Sequence, residues 1–168
     1  MTLRILGIDP GLRVTGYGAI ECNDGAVSLL EAGIVAPDVQ ATLEDRLSSL
    51  HRGICEVVTA TRPQAVVIEE LFSAYRNPLT AVMMGHARGV LCLAAAQQRI
   101  TVYALAHSAV KRALTGSGAA RKEQVRSMVV QLLGLNRSPE PADVSDALAL
   151  AIAFANRAGR ASLNGDAR

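Results

Sequence analysis

The chain has 168 residues, half of them hydrophobic, which suits one domain with a sizeable core and excludes a largely disordered polypeptide. Its net charge is only +2, so any affinity for nucleic acid must come from a local basic patch rather than from the bulk charge. Cys22, Cys55 and Cys92 lie far apart without metal-type spacing, and they predict free thiols in a reducing, cytoplasmic setting.

Leu3 to Ile8 is an apolar run interrupted by Arg4 and Gly7 and closed by Asp9-Pro10-Gly11. It predicts a strand buried on both faces that carries one carboxylate to its own end. Val14 to Ile20 predicts a second strand, and Pro10-Gly11-Leu12-Arg13 is short enough to make the pair a hairpin. The turn signal Asn23-Asp24-Gly25 then leads into a third, antiparallel strand over Ala26 to Ala36. Thr42 predicts the cap of a helix with Leu43, Leu47, Leu50, Ile54, Val57 and Val58 on one face, broken at Arg62-Pro63. Ala65-Val66-Val67-Ile68 predicts a second buried strand, ending in Glu69-Glu70.

Asn77-Pro78 predicts the start of a helix reaching Gln98. Ile100 to Leu105 predicts a fifth strand, and Ser108 the cap of a short helix ended by Gly116. Arg121 to Leu133 predicts another helix, stopped by Gly134. The last helix is expected from near Asp143 to about Arg157. The order implies an α/β fold with a mixed sheet, its first three strands antiparallel, and helices on both faces. One domain is expected over residues 1–157, with 158–168 as a flexible tail. The apolar stretch Ala147 to Ala155 is too short for a membrane span, and the immediate first strand leaves no room for a signal peptide, so no membrane association is expected.

Asp9 is the acid hardest to assign to the surface, because a buried unpaired charge is costly. Glu69 and Glu70 end an apolar strand as Asp9 does, and strand alternation allows only one of them on the same face as Asp9. Asp143 and Asp146 are three apart and share a helix face. Each also has a plainer reading, Asp143 as a helix cap, Asp146 as a solvated first-turn acid and Glu69-Glu70 as a strand end at the surface. If the carboxylates converge, they repel one another unless hard divalent cations stand between them. Two such ions are an established device for hydrolysing phosphodiesters.

Gly7-Ile8-Asp9-Pro10-Gly11, Arg13 to Gly18, Ile68-Glu69-Glu70, and Asp143 with Asp146-Ala147-Leu148-Ala149 closely resemble the RuvC family of Holliday-junction endonucleases. The resemblance covers roughly Leu3 to Ala155. It implies a ribonuclease-H-like fold with a five-stranded mixed sheet, a homodimer, and cleavage at four-way DNA junctions that depends on two Mg²⁺ ions per site, with Mn²⁺ as a substitute. Carried over by position, the family's catalytic and metal-binding residues fall on Asp9, Glu69, Asp143 and Asp146, which selects Glu69 over Glu70. The earlier acid of the last motif, here Asp143, is a histidine in some members. The resemblance also implies symmetric nicking at thymine-rich sites and cooperation with the RuvA–RuvB branch-migration complex.

Phe72 and Tyr75 are two of only five aromatic residues, and with Arg76 they follow Glu69 closely. Aromatics and Arg beside a phosphodiester-cleaving site suit stacking on unpaired bases. The resemblance places a base-contacting Phe at Phe72, while Tyr75 fits stacking and core packing equally. Between Ser108 and Arg126, Lys111, Arg112, Arg121, Lys122 and Arg126 face one acid, Glu123, around a flexible Gly116-Ser117-Gly118 break. Such a patch suits phosphate contact, and the resemblance matches Lys111 and Lys122 to lysines near the scissile strand. His51, His86 and His107 stand alone in the sequence and are given no ligand role.

The helix after Pro78 carries Ala81, Gly85 and Gly89 at four-residue spacing, with Val82 and His86 beside them. A small-residue stripe lets backbones approach closely, either onto the sheet or across a two-fold axis. The resemblance places the dimer contact on this helix. An actin-like small-molecule kinase and a pre-ribosomal-RNA nuclease of the same fold are the alternative readings. The kinase reading needs a second domain that 168 residues do not supply.

Overall fold

The computed structural model describes residues 2–70 and 77–165. Its centre is strand β1 (Thr2–Asp9), which pairs antiparallel with β2 (Thr15–Asn23) and parallel with β4 (Ala65–Glu69). Strand β3 (Ala26–Val35) adds to β2, and β5 (Thr101–Leu105) runs parallel to β4. The sheet therefore has five strands in the order β3-β2-β1-β4-β5, mixed as the sequence predicts.

Alternation along β1 divides the core. Leu6 and Ile8 face helices α1 (Leu43–Thr61) and α2 (Pro78–Gln97), in a cluster with Leu50, Ile54, Leu91 and Ala94. Ile5 faces the other layer, built from α3 (His107–Thr115), α4 (Lys122–Leu133) and α5 (Ala142–Gly165). Helix α5 lies between the sheet and α3 and α4, so it is apolar nearly all round. Leu148 and Ile152 are fully buried, each worth roughly 1.5–3 kcal/mol of hydrophobic stabilisation.

Three glycines let α5 come close. Gly7 and Gly18 are partners across β1 and β2, and Gly16 is the partner of Asp9. A Cβ at Gly7 would strike the Ala147 carbonyl, one at Gly16 the Asp143 backbone, and one at Gly18 the Leu148 side chain. This glycine patch brings the first turns of α5 against the strand end that carries Asp9. The turn between β1 and β2 is held by the fully buried Thr15, whose hydroxyl donates to the Gly11 carbonyl at 2.6 Å and accepts from the Gly11 N–H at 3.1 Å. At the far end of β1, Arg4 Nε donates to Glu21 Oε2 at 2.9 Å across the same strand pair. The arginine that interrupts the apolar run thus finds an acid on its neighbour.

The loop into α5 is tied down by Ser145. Its buried hydroxyl lies 3.0 Å from that of Ser138 and donates to the Pro139 carbonyl at 3.1 Å. Among the helices, α3 and α5 differ most from the sequence prediction. Helix α3 starts at His107 with Ala106 as its cap, not Ser108. Helix α5 starts at Ala142, which puts Asp143 in the first turn and Asp146 in the second. It also continues to Gly165, past the end expected near Arg157.

By length and composition α2 is apolar enough to cross a membrane, unlike the shorter apolar run Ala147 to Ala155. In the fold, α2 packs against α1 and β5 through Ala87, Leu91, Ala94 and Ala95. Its remaining face is open: Leu79 is 64% exposed and Val82 55%. A Cβ at Gly85 or Gly89 would meet nothing within 4 Å among the described residues, so these glycines do not serve close packing on the chain's own sheet.

Candidate active site

Strands β1 and β4 are parallel neighbours in register, with Ile8 beside Ile68. Their C-terminal ends, Asp9 and Glu69, therefore meet at one edge of the sheet, the usual place for a site in an α/β fold. Alternation settles which glutamate joins Asp9. Val67 belongs to the layer of α5, and Val66 and Ile68 to the opposite one, so Glu69 shares the face of Asp9. Glu70 has the opposite phase but still lines the edge of the cleft, and its N–H continues the sheet by donating to the Leu105 carbonyl at 3.0 Å.

The cleft has a volume of about 490 Å³. Asp9, Glu69 and Asp146 form its acidic side, Lys111 and Lys122 its basic side, and Val110, Val125, Ala149 and Leu150 its apolar wall. Asp143 does not line it, yet acts on Asp9 electrostatically together with Glu69 and Asp146. Burial, then the charges of Glu69, Asp146 and Asp143, push the Asp9 pKa from 3.8 up to about 7, against the opposing pull of Lys122.

Lys122 stands in the first turn of α4, where the helix dipole disfavours a cation. Its Nζ lies 3.8 Å from Asp146 Oδ2, a long and partly exposed pair worth at most about 1 kcal/mol. Of the other predicted phosphate contacts, Arg112, Arg121 and Arg126 do not line the cleft. Arg112 and Arg121 are exposed, while Arg126 is half-buried with its Nε unpaired among the described residues. Phe72, Tyr75 and Arg76 lie outside the described residues.

One cleft residue was missed in the sequence. His107 Nδ1 lies 2.8 Å from Glu69 Oε1, and the imidazole lines the cleft. Its only sequence signal is its position two residues after β5, the parallel neighbour of the strand that carries Glu69. The Glu69 carbonyl is also reached from α2, by Arg88 Nε at 3.4 Å.

The raised pKa of Asp9 gives a stability test. Between about pH 4 and 7 the folded protein keeps a proton on Asp9 that the unfolded chain has released, so this group's contribution to stability falls as pH rises through that window. Without divalent cations, Asp9→Asn should therefore melt higher than the wild type at pH 8, by roughly 5 °C or more. At pH 4 the two proteins should melt together. A lower melting temperature for Asp9→Asn at pH 8 would mean that Asp9 is held by partners favouring its ionised form.

The family model described as "Crossover junction endodeoxyribonuclease RuvC" matches residues 5–154. A relative of that description from Rhodopirellula baltica is 44% identical over 148 residues, covering 88% of this chain and 83% of the relative. The structure of Thermus thermophilus RuvC is similar with a TM-score of 0.88 at 35% identity, covering 95% of this chain and 97% of that one. The same T. thermophilus protein, solved in complex with Holliday junction substrate, is similar with a TM-score of 0.85 at 34% identity, covering 93% and 95%. The glycine patch under α5, the acids at the ends of β1 and β4 and the sheet order all lie within the matched span, and the chain belongs to the RuvC family of crossover junction endodeoxyribonucleases.

Proposed function

We propose that this chain is a structure-selective endodeoxyribonuclease that resolves four-way (Holliday) DNA junctions in recombination and repair. One observation carries the reading: Asp9 is buried at the end of β1 within the field of Glu69, Asp143 and Asp146, and lysines line the other side of the cleft. The similarity to a family member solved with a Holliday junction supports junction DNA as the substrate. Neither the kinase nor the RNA-nuclease alternative gains support from a family match over residues 5–154.

The donor set fits hard divalent cations. The carboxylates raise the pKa of Asp9 even against Lys122, so their negative charge is only partly balanced, and Mg²⁺ or Mn²⁺ supplies the rest. Among the described residues no three His, Cys, Asp or Glu side chains are yet gathered tightly enough to hold a metal ion. Glu69 is engaged by His107 and Asp146 faces Lys122, so closing the set needs side-chain adjustment at those two acids. Asp9, Asp143 and Asp146 would hold one ion, and Asp9 with Glu69 a second. When bound, the two ions supply an activated water and neutralise charge on the leaving 3′ oxygen.

The chain's own residues do the rest. Asp9 must be ionised, which its raised pKa opposes and a counter-charge favours. Lys111 and Lys122 would orient the scissile phosphate opposite the acids, and the apolar wall of Val110, Ala149 and Leu150 limits the directions from which water enters. Hydrolysis by an attacking water leaves 5′-phosphate and 3′-hydroxyl ends. Phe72 would stack on bases at the opened junction centre, with Arg76, Arg112, Arg121 and Arg126 on nearby phosphates, while Tyr75 suits stacking and core packing equally.

Two symmetric cuts need two equivalent sites, which a C₂ homodimer provides. The open face of α2, with Ala81, Val82, Gly85, His86 and Gly89, supports self-association there. Cooperation with RuvA–RuvB and a cytoplasmic location follow from the same reading.

Synthetic four-way junctions, matched duplex and RNA, incubated with and without Mg²⁺, test the activity. Metal-dependent cleavage of the junction alone is expected, and equal cleavage of duplex or RNA would contradict it. Lys111→Ala and Lys122→Ala should each weaken junction binding and lower the slope of log affinity against log salt by about one. Unchanged slopes in both variants would place the DNA elsewhere.

A further inference from the structure

Glu69 is more open than Asp146 across the cleft, its side chain 32% exposed against 25%, because its strand ends there. A half-exposed glutamate has three rotatable side-chain torsions, and only a few of their combinations aim its carboxylate at Asp9. Something must select among them if Glu69 is to hold a cation. The described structure offers one side-chain partner within hydrogen-bonding distance of its carboxylate, His107 Nδ1, at 2.8 Å from Oε1. We propose that His107 is a positioning residue: its Nδ1–H fixes the Glu69 carboxylate so that Oε2 stays available to a divalent cation on the Asp9 side. The proposal rests on the metal-dependent reading of this site.

Geometry supports it in three ways. His107 is the first residue of α3 and is joined to the end of β5 by Ala106 alone. Strand β5 is in register with β4, Leu105 opposite Glu69, so the backbone that carries His107 is fixed to the backbone that carries Glu69. The Glu70 N–H to Leu105 carbonyl bond extends that register by one residue. The chemistry is also one-directional. An ionised carboxylate only accepts, so the proton of this bond belongs to Nδ1, and the bond occupies one carboxylate oxygen while leaving the other free. A neighbour that hydrogen-bonds a liganding carboxylate is the kind of outer partner that tunes metal sites.

His107 is 45% exposed in its side chain, which also decides what it does not do. A pair this exposed adds little to folding stability, so its loss should appear in metal binding rather than in melting. Lys111 and Lys122, the nearest cations of the cleft lining, cannot substitute for it. Lys122 is directed to Asp146, and Lys111 makes no hydrogen bond to Glu69.

The test measures Mn²⁺ binding by calorimetry on the intact protein without DNA, with junction cleavage as a separate assay. His107→Ala should weaken Mn²⁺ binding about tenfold and leave the melting temperature of the metal-free protein unchanged. His107→Asn retains an N–H donor where Nδ1 stood and should recover most of the loss, whereas His107→Gln displaces the donor and should not. Wild-type Mn²⁺ affinity in His107→Ala, or an Asn variant as weak as the Ala variant, would overturn the proposal. Because binding is measured without DNA, a protein that binds Mn²⁺ as expected but leaves junctions intact would contradict the nuclease reading alone.

Discussion

Asp9→Asn, Glu69→Gln and Asp146→Asn are each expected to abolish junction cleavage while binding junction DNA nearly as the wild type does. The three acids come from β1, β4 and α5 and line one cleft, so no neighbouring carboxylate replaces any one of them in place. A metal-ion site supplies several kcal/mol of transition-state stabilisation, so each loss should cost at least about a hundredfold in rate. Affinity for DNA depends instead on lysines and arginines that neutralise phosphates. Removing a negative charge should, if anything, strengthen it. Asp143→Asn should retain more activity than the other three, because Asp143 acts on Asp9 from outside the cleft lining. Single-turnover cleavage and a binding titration on the same junction check the pattern. Weak binding with preserved cleavage in all three variants would make these acids structural.

Gly85→Leu is expected to convert a dimer into a folded monomer. A Cβ at Gly85 meets nothing within 4 Å among the described residues, so a leucine there starts without a clash against its own fold. The same leucine would stand in the middle of a helix pair built on Ala81, Gly85 and Gly89. Leu79 and Val82, exposed at 64% and 55%, extend that surface into an apolar patch of the kind that marks an interface. The monomer should melt cooperatively, bind junctions poorly and make only uncoupled single nicks. Sedimentation of the wild type as a monomer at micromolar concentration would contradict this, as would a Gly85→Leu protein that remains dimeric.

The parts of the site that lie within one element were legible in the sequence. Asp9 ends a strand too apolar to be anything but central, and Asp143 and Asp146 share a helix face by spacing alone. The choice between Glu69 and Glu70 was not legible from the residues. It depends on the phase of β4 relative to α5, which only the packing of Val67 fixes. The resemblance to family motifs supplied that choice, and the strand's phase agrees with it.

His107 was out of reach for a related reason. Its contact with Glu69 spans 38 residues and passes through the pairing of β4 with β5, while the local signal put the cap of its helix two residues later, at Ser108 instead of Ala106. Backbone geometry at Ala106 starts that helix without a side-chain cap. The end of α5 was misjudged by reading composition alone. No proline follows Arg157, and the alanines at positions 158 and 161 carry the helix on past Gly159 to Gly165. The open face of α2 was anticipated as excess apolar surface, but only the lack of any described atom within 4 Å of a Cβ at Gly85 or Gly89 separates it from a helix closely packed on its own sheet.

Paired incision is the most direct consequence of two equivalent sites facing one junction. A supercoiled plasmid that extrudes one cruciform presents a single four-way junction, and its products distinguish two cuts from one. With Mg²⁺, the wild-type protein should convert the plasmid to a linear form, with the two breaks placed symmetrically across the junction and both ends ligatable. Accumulation of nicked circles without linear product, or linearisation of a plasmid that has no cruciform, would contradict it.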